Sequence, residues 1–331
     1  MSQVGEPDTM TTTILNVEQT PPILDGDLAS RLFAEAGIDV ETSTTTDEDE
    51  LVSLIPGYDG LLVHAGVPVT RRVIEAGTDL QVIARCGIGV DNVDLAAADD
   101  CEIPVVHDPS YSVQEVASHA LSLALSGWRR IPRYDRSTRS GSWRWADGRP
   151  MGRLSEATLG LVGFGNIGRR MAVLTSGFGC DILASDPYVD DVVMERHNVE
   201  PVDLATLCDR SDIVSIHAEL TPETEGLIGD AELEALDANA VLVNTARGPI
   251  VDTTAVVDAL AEDQLGFVAL DVTDPEPLPA DHPLFEYENV CVSPHAGWYS
   301  ERSREELTHD IAGDVRRVFR QEEPTYPVVR S

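Results

Sequence analysis

The stretch Thr158-Leu159-Gly160-Leu161-Val162-Gly163-Phe164-Gly165-Asn166-Ile167-Gly168 constrains the fold more than any other part of the chain. Leu159 to Val162 is a short apolar run that reads as a buried parallel strand, and Arg169 to Ser176 reads as the helix that follows. Between them Gly163, Gly165 and Gly168 form a G-x-G-x-x-G turn. The glycines have separate jobs: a tight turn, a close backbone approach to a pyrophosphate, and close packing of helix on strand. Backbone N–H groups and the positive end of the helix dipole converge where a pyrophosphate sits. Phe164, Asn166 and Ile167 are therefore expected to line it with the glycines. Alone such a turn is a weak signal. Here a second strand, Asp181 to Ser185, ends at Asp186, 18 residues after Gly168. A dinucleotide fold needs a carboxylate at about that distance for the ribose hydroxyls, and no arginine follows Pro187-Tyr188 to neutralise a 2′-phosphate. NAD is expected over NADP; the rival reading makes Asp186 a strand-end cap.

The rest of the chain repeats the strand-then-helix theme. Strands are expected at Thr13 to Val17, Asp39 to Glu41, Gly60 to His64, Gln81 to Arg85 and Val105 to His107. Helices are expected at Leu28 to Ala36, Asp47 to Ile55 and Thr70 to Ala76. Beyond the glycine turn, strands are expected at Asp212 to Ile216, Ala240 to Asn244, Phe267 to Leu270 and Val290 to Val292. Alternation of this kind implies parallel sheets covered on both faces, an α/β fold. Val113 to Trp128 reads as a long helix connecting two such units, and as a hinge. The last helix, Ser303 to Arg320, should return to the first domain. The domains are then 1–112 with 302–331, and 113–301. Met1 to Met10 is polar and expected to be mobile.

Arg129 to Arg153 carries eight arginines with Trp143 and Trp145. One reading is a loop that wraps a partner subunit, since arginine and tryptophan anchor interfaces. The other is a solvated arm paired with the chain's own carboxylates.

Charge narrows the function classes. The chain has 58 acidic and 23 basic residues, a formal net charge of −35, and every basic residue is arginine. A nucleic-acid-binding basic face is disfavoured. Acidic disorder is disfavoured too, because 42% of residues are hydrophobic and periodic segments are many. Five scattered cysteines without a Cys-x-x-Cys pair give neither a disulfide framework nor a zinc site. With no signal segment at Met1 to Ile14 and no apolar run of spanning length, a soluble cytoplasmic protein is expected, with no membrane partner and no metal.

Each strand after the glycine turn ends on a chemically capable residue: His217, then Thr245-Ala246-Arg247, then Asp271, then His295. Ligands of open α/β sheets bind beyond the carboxyl ends of strands. Arg247 offers a bidentate fork for a carboxylate. His295 suits proton exchange near neutral pH. Glu276, on the loop leaving the preceding strand, is placed to orient the imidazole. Beside a nicotinamide, this set specifies hydride transfer to a carbonyl next to a carboxylate.

These residues, with Cys86-Gly87-Ile88-Gly89-Val90-Asp91-Asn92-Val93-Asp94, the Gly163 turn, Asn244 to Gly248 and Asp271 to Pro277, resemble the D-2-hydroxyacid dehydrogenase family over nearly the whole chain. The resemblance implies a Rossmann-like NAD-binding domain inserted in a flavodoxin-like substrate domain, with an active-site cleft, and a homodimer formed through the nucleotide-binding domain. It implies that Arg247 binds and polarises a 2-oxoacid, that His295 is the acid/base, and that Glu276 supports its protonated form. Asp271 would hold the nicotinamide carboxamide, with Gly297 beside it, and the backbone at Ile88-Gly89 would hold the substrate carboxylate. Residues His295 to Glu301 look most like the C-terminal-binding-protein branch, in which Trp298 and Arg85 would touch substrate. Glu276 stands where formate dehydrogenases have glutamine. His64-Ala65-Gly66 replaces the Arg-Ser pair of phosphoglycerate dehydrogenases, which disfavours a phosphorylated substrate. The alternative from another class is an NADH-sensing module that recruits peptide partners, as corepressors of that branch do.

An acidic surface without lysine suits a salt-filled cytoplasm, because self-repulsion is screened as the Debye length shrinks towards ~3 Å at 1 M salt. The thermal midpoint should rise steeply between about 0.1 M and about 2 M salt. A flat or falling midpoint would count against this halophilic reading.

Overall fold

The computed structural model describes residues 12–328. The expected mobility of Met1 to Met10 lies outside the described residues. The chain forms two compact units: one runs to Tyr111 and resumes at Ser300, the other is Ser112–Tyr299.

The strands of the first unit are β1 (Thr12–Val17), β2 (Ile38–Ser43), β3 (Gly60–Val63), β4 (Val82–Arg85) and β5 (Val105–Val106), of which β2 is mostly polar. All pair in parallel, in the order β2-β1-β3-β4-β5, the flavodoxin-like order. Between them lie α1 (Gly26–Ala36), α2 (Glu48–Leu54), α3 (Arg71–Ala76) and α4 (Leu95–Asp100). Aspartates start three of these helices. Asp25 accepts from the Leu28 N–H at 2.9 Å, Asp47 from Glu50 at 3.0 Å, and Asp94 from Ala97 at 2.9 Å. Such a cap is worth about 1 kcal/mol. Helix α4 was not expected: Leu-Ala-Ala-Ala-Asp-Asp carries little periodicity, and the Asp94 cap sets its start. Leu15, Val17, Leu61, Val63 and Ile83 of the sheet pack with Leu51, Ile55, Val73 and Ile74 of the helices, each contributing roughly 2 kcal/mol by burial.

The second unit opens with α5 (Val113–Trp128) and α6 (Ile131–Arg139). There follow β6 (Thr158–Val162), α7 (Asn166–Thr175), β7 (Asp181–Ser185), α8 (Asp191–Glu195), β8 (Glu200–Pro201), α9 (Leu204–Arg210) and β9 (Ile213–Ile216). The unit closes with α10 (Asp230–Ala235), β10 (Val241–Asn244), α11 (Thr253–Ala261), β11 (Phe267–Leu270) and β12 (Val290–Val292). The sheet order is β12-β11-β10-β9-β6-β7-β8, all parallel. This is the doubly wound dinucleotide-binding order with one added strand, and it reverses between β6 and β9. The expected hinge helix α5 is a wall of this sheet, with Ala120, Leu123 and Ala124 packed among Leu159, Leu161, Val241 and Phe267.

Two expectations need correction. Helix α7 begins at Asn166 rather than Arg169, because the chain turns helical immediately after Gly165, whose carbonyl accepts from Arg169 N at 3.0 Å. The arginine-rich segment is not all loop, since α6 lies inside it. Pro132 fits the first turn of that helix, and an Asp135–Arg139 pair at 2.7 Å supports its last.

The last helix, α12 (Glu301–Phe319), completes the first unit. Ser300 and Ser303 cap it reciprocally, each bond 2.9 Å. Thr308 Oγ1 accepts from Asp25 N at 2.9 Å, and Arg304 donates to the carbonyls of Ile23 and Leu24. The chain's return is thus fixed by polar contacts at the start of α1.

His64 follows β3 and is 7% exposed. Its Nδ1 accepts from Gly66 N at 3.2 Å, so the ring is neutral with its proton on Nε2. Burial, with the nearby Arg85 charge, pushes its pKa from 6.5 down to about 4. The folded value lies below the unfolded one. The stability conferred by neutral His64 is therefore full above the unfolded pKa and lost as pH falls towards the folded one, by about 3 kcal/mol. In denaturant titrations between those two pH values, the wild type should lose about that much more stability than His64→Gln. Identical pH dependence in the two proteins would remove His64 from this role.

Candidate active site

The glycine turn lies where the second sheet reverses its order. Gly163 has φ +92°, and a Cβ there would lie 2.6 Å from Ala218 N and 2.7 Å from the His217 carbonyl carbon. A Cβ at Gly168 would lie 2.4 Å from Gly163 O, so α7 rests directly on the turn. Gly165 differs: a Cβ there meets nothing within 4 Å. Protein packing does not require that glycine, whereas close approach of a pyrophosphate would. Gly165 and Asn166 are exposed, Ile167 half-buried and Phe164 buried. The residues present therefore fit a dinucleotide.

Asp186 is half-buried at the end of β7. Its Oδ2 accepts from Phe164 N at 2.7 Å and its Oδ1 from Tyr188 N at 2.9 Å. It locks the glycine turn, and a carboxylate with about four acceptor positions keeps room for ribose hydroxyls. The capping bonds are present, and they do not use up the carboxylate.

Strand β10 delivers the arginine. Asn244, fully buried, accepts from Ala246 N at 3.0 Å and donates to Arg247 O at 2.8 Å, which folds Thr245–Arg247 into a fixed loop. Arg247 is half-buried, and its Nη1 donates to Ala246 O at 2.8 Å. Thr245 Oγ1 is buried with no hydrogen-bond partner in the structure, a polar atom available to a ligand. A Cβ at Gly248 would lie 2.2 Å from Thr273 O, so the arginine loop is pressed against the loop leaving β11.

That second loop carries Glu276. Its Oε1 accepts from Thr273 N at 3.1 Å and its Oε2 lies 2.9 Å from His295 Nδ1. The expected acid–imidazole pair therefore exists, with both side chains about a third exposed, 39% for Glu276 and 32% for His295. His295 sits at φ +52°, a left-handed conformation that a non-glycine residue adopts only when held there. What holds it is Asp271. The backbone carbonyl of Asp271 accepts from His295 N at 2.7 Å. Its carboxylate accepts from Ala296 N at 2.9 Å, Gly297 N at 2.7 Å and Ser293 Oγ at 2.6 Å. Asp271 is 2% exposed. Burial alone would raise its pKa, but His119, Ser293 and the two N–H groups outweigh that and hold it at about 2.

His217, at the end of β9, bonds Ser215 Oγ at 3.0 Å, and burial pushes its pKa down to about 4. Trp298 packs edge-on against Tyr299 at 5.6 Å. In the first unit, the expected substrate contact Arg85 is 5% exposed, and its Nη1 donates to Cys86 O at 2.9 Å rather than turning outward. Ile88 and Gly89 are half-exposed, and Ile88 O accepts from His107 Nδ1 at 2.7 Å. Sequence reasoning missed His119, whose Nε2 lies 3.0 Å from Ser293 Oγ across 174 residues of chain. It also missed the latch role of Asn244, although the residue lies within a recognised stretch.

Asp271→Asn would turn an amide N–H₂ towards the Ala296 or Gly297 N–H, leaving a buried donor unsatisfied. The variant should be about 2–4 kcal/mol less stable near neutral pH. Because the folded pKa is depressed, this stability is present above the unfolded value of 3.8 and is lost as pH falls to about 2. Equal urea midpoints for wild type and variant near pH 7 would contradict the assignment.

Comparisons with known proteins agree with this architecture. Residues 121–297 match the model of the D-isomer specific 2-hydroxyacid dehydrogenase NAD binding domain. The chain is 37% identical over 295 residues to the D-3-phosphoglycerate dehydrogenase of Methanocaldococcus jannaschii, covering 89% of this chain and 56% of that protein. It is 37% identical over 284 residues to the glyoxylate reductase of Thermofilum pendens, covering 83% of each. The crystal structure of the TT0316 protein from Thermus thermophilus superposes with a TM-score of 0.85 at 34% identity, covering 96% of this chain and all of that one. The chain spans about half the length of the phosphoglycerate dehydrogenases it matches. No helix among the described residues is long and apolar enough to cross a membrane. On sequence, strand order and the placement of its strand-end residues, the chain belongs to the D-isomer specific 2-hydroxyacid dehydrogenase family.

Proposed function

We propose that this chain is an NAD-dependent oxidoreductase acting on a 2-oxoacid/D-2-hydroxyacid pair. The observation that carries the reading is the Glu276–His295 contact, fixed by Asp271 and joined to the Arg247 loop through Gly248 and Thr273. When bound, the nicotinamide supplies or takes the hydride. Protonated His295 donates to the oxygen of the substrate carbonyl as negative charge develops there, and takes the proton back in the reverse direction. Glu276 holds the imidazole through Nδ1, which leaves Nε2 for the substrate. Arg247 grips the 2-oxoacid with its fork and polarises the carbonyl. The second unit, with Gly163 to Gly168, Asp186, His217, Thr245, Ala246, Asp271 and Gly297, is the cofactor domain. Among the described residues Asp271 Oδ2 accepts from Gly297 N, and a carboxylate oxygen has a further acceptor position for the carboxamide. The first unit is the substrate domain; the resemblance makes Arg85, Ile88 and Gly89 of that unit substrate contacts, and likewise Trp298, which belongs to the second unit.

A substrate without phosphate is favoured, because the resemblance puts His64-Ala65-Gly66 where phosphoglycerate dehydrogenases have an Arg-Ser pair, and His64 is buried and neutral. The C-terminal-binding-protein likeness of residues 295–301 is supported by those residues alone, and the corepressor-like alternative rests on it. A homodimer is supported by Trp143 and Trp145, which stay 88% and 76% exposed beside a run of arginines. Free cysteines among the described residues suit a reducing cytoplasm.

Assay of a panel of 2-oxoacids with NADH and NADPH in molar salt tests the reading. At least one 2-oxoacid should oxidise NADH, with NADPH much poorer because Asp186 repels a 2′-phosphate. His295→Asn should lower kcat by about 10²–10⁴-fold. Arg247→Ala should both raise KM and lower kcat. NADH binding without turnover on any 2-oxoacid would favour the sensing module instead, and equal use of NADPH would remove the role given to Asp186.

A further inference from the structure

The network behind His295 reaches beyond the groups used so far. His119 lies on α5 and meets both Asp271 and the turn that carries His295. Its Nε2 is 3.0 Å from Ser293 Oγ and 3.3 Å from Asp271 Oδ1. The proton positions follow from donor counting. The Ser293 hydroxyl has one proton and gives it to Asp271 Oδ1 at 2.6 Å. Ser293 Oγ can therefore only accept from His119, so Nε2 carries a proton and donates to the serine and the carboxylate together. The ring is also pressed against the turn itself. A Cβ at Gly297 would lie 2.8 Å from Asp271 Oδ2 and 3.5 Å from His119 Cδ2.

We propose that His119 is a positioning residue for His295. It fixes Ser293 and the Asp271 carboxylate in the one arrangement whose acceptors face the Ala296 and Gly297 N–H groups. That arrangement holds His295 in its left-handed conformation with Nδ1 on Glu276. The inference rests on the reading of His295 as the acid/base. Three of the donors to Asp271 belong to residues 293–297 and move with the turn, whereas His119 enters from a helix whose other face is packed on the sheet. It anchors the turn to something rigid. A side chain held only by its own loop can shift, and a displacement of about 1 Å at a reacting group costs about 10²-fold in rate.

His119→Phe keeps the ring and removes the donor, while His119→Gln offers an amide donor in nearly the same place. The test measures kcat and KM with the best 2-oxoacid, the NADH dissociation constant by fluorescence, and the His295 ring signals by ¹⁵N NMR. His119→Phe should lower kcat by about 10- to 100-fold, a larger change than in the NADH dissociation constant, and His119→Gln should recover most of the loss. The His295 Nδ1 signal should shift or broaden in His119→Phe and return in His119→Gln. A folded His119→Phe with unchanged kcat and His295 signals overturns the proposal, as does His119→Gln behaving like His119→Phe. A wild type that binds NADH but turns over no 2-oxoacid overturns the reading of His295 as acid/base. In that case the NMR signals still report whether His119 holds the turn.

Discussion

One buried charge organises the catalytic end of this molecule. Moving a carboxylate out of water costs several kcal/mol even after relaxation, and the cost is recovered only by donors already in place. Asp271 has them, from Ser293, His119 and two consecutive backbone N–H groups, and stays ionised. The same bonds that make the charge tolerable dictate the shape of residues 293–297. A left-handed φ at His295 costs of order 1–3 kcal/mol, and the Asp271 carboxylate and carbonyl together supply what opposes it. The strain at His295 is thus balanced by a single residue at the end of the neighbouring strand.

The glycine turn shows the same economy by contrast. Gly163 and Gly168 are required by atoms of the protein: a side chain at either would strike backbone. Gly165 is required by nothing in the protein. Glycine suits this N-cap without being required there, and its bare backbone leaves room beside the turn for a ligand to come close. Asp186 Oδ2 accepts from Phe164 N, which ties the end of β7 to the glycine turn. Turn and strand end are held as one piece.

Much of this was legible in the sequence. Buried parallel strands are continuous apolar runs, so the principal strands were found within a residue or two at most ends, and the strand ends with the loop after β11 pointed to Glu276 and His295, which do meet. What escaped had no local signal. Strand β8 is only two residues long, α4 lacks periodicity, and α6 hides in a run of arginines that reads as loop. His119 escaped for a different reason. Its partners are distant in sequence, and on an apolar helix a single histidine looks like any other. Arg85 exposes a further limit: residue type marks a guanidinium at a strand end, but not that it folds back on Cys86 O. Spacing gives the address of a side chain and says little about its direction.

The excess of carboxylates has a local side as well as a global one. Asp25, Asp47, Asp94, Asp203 and Asp252 each accept a backbone N–H at a helix start. Each such bond is worth about 1 kcal/mol and acts over hydrogen-bond distance. The repulsion among 58 acidic side chains acts over many ångströms. Salt does not treat the two alike, since screening removes interactions beyond a Debye length and leaves a direct bond to a desolvated N–H largely intact. Adding salt therefore subtracts more from what opposes the fold than from what the same residues contribute to it. A chain so acidic can keep its caps and lose its self-repulsion, provided its surroundings are saline.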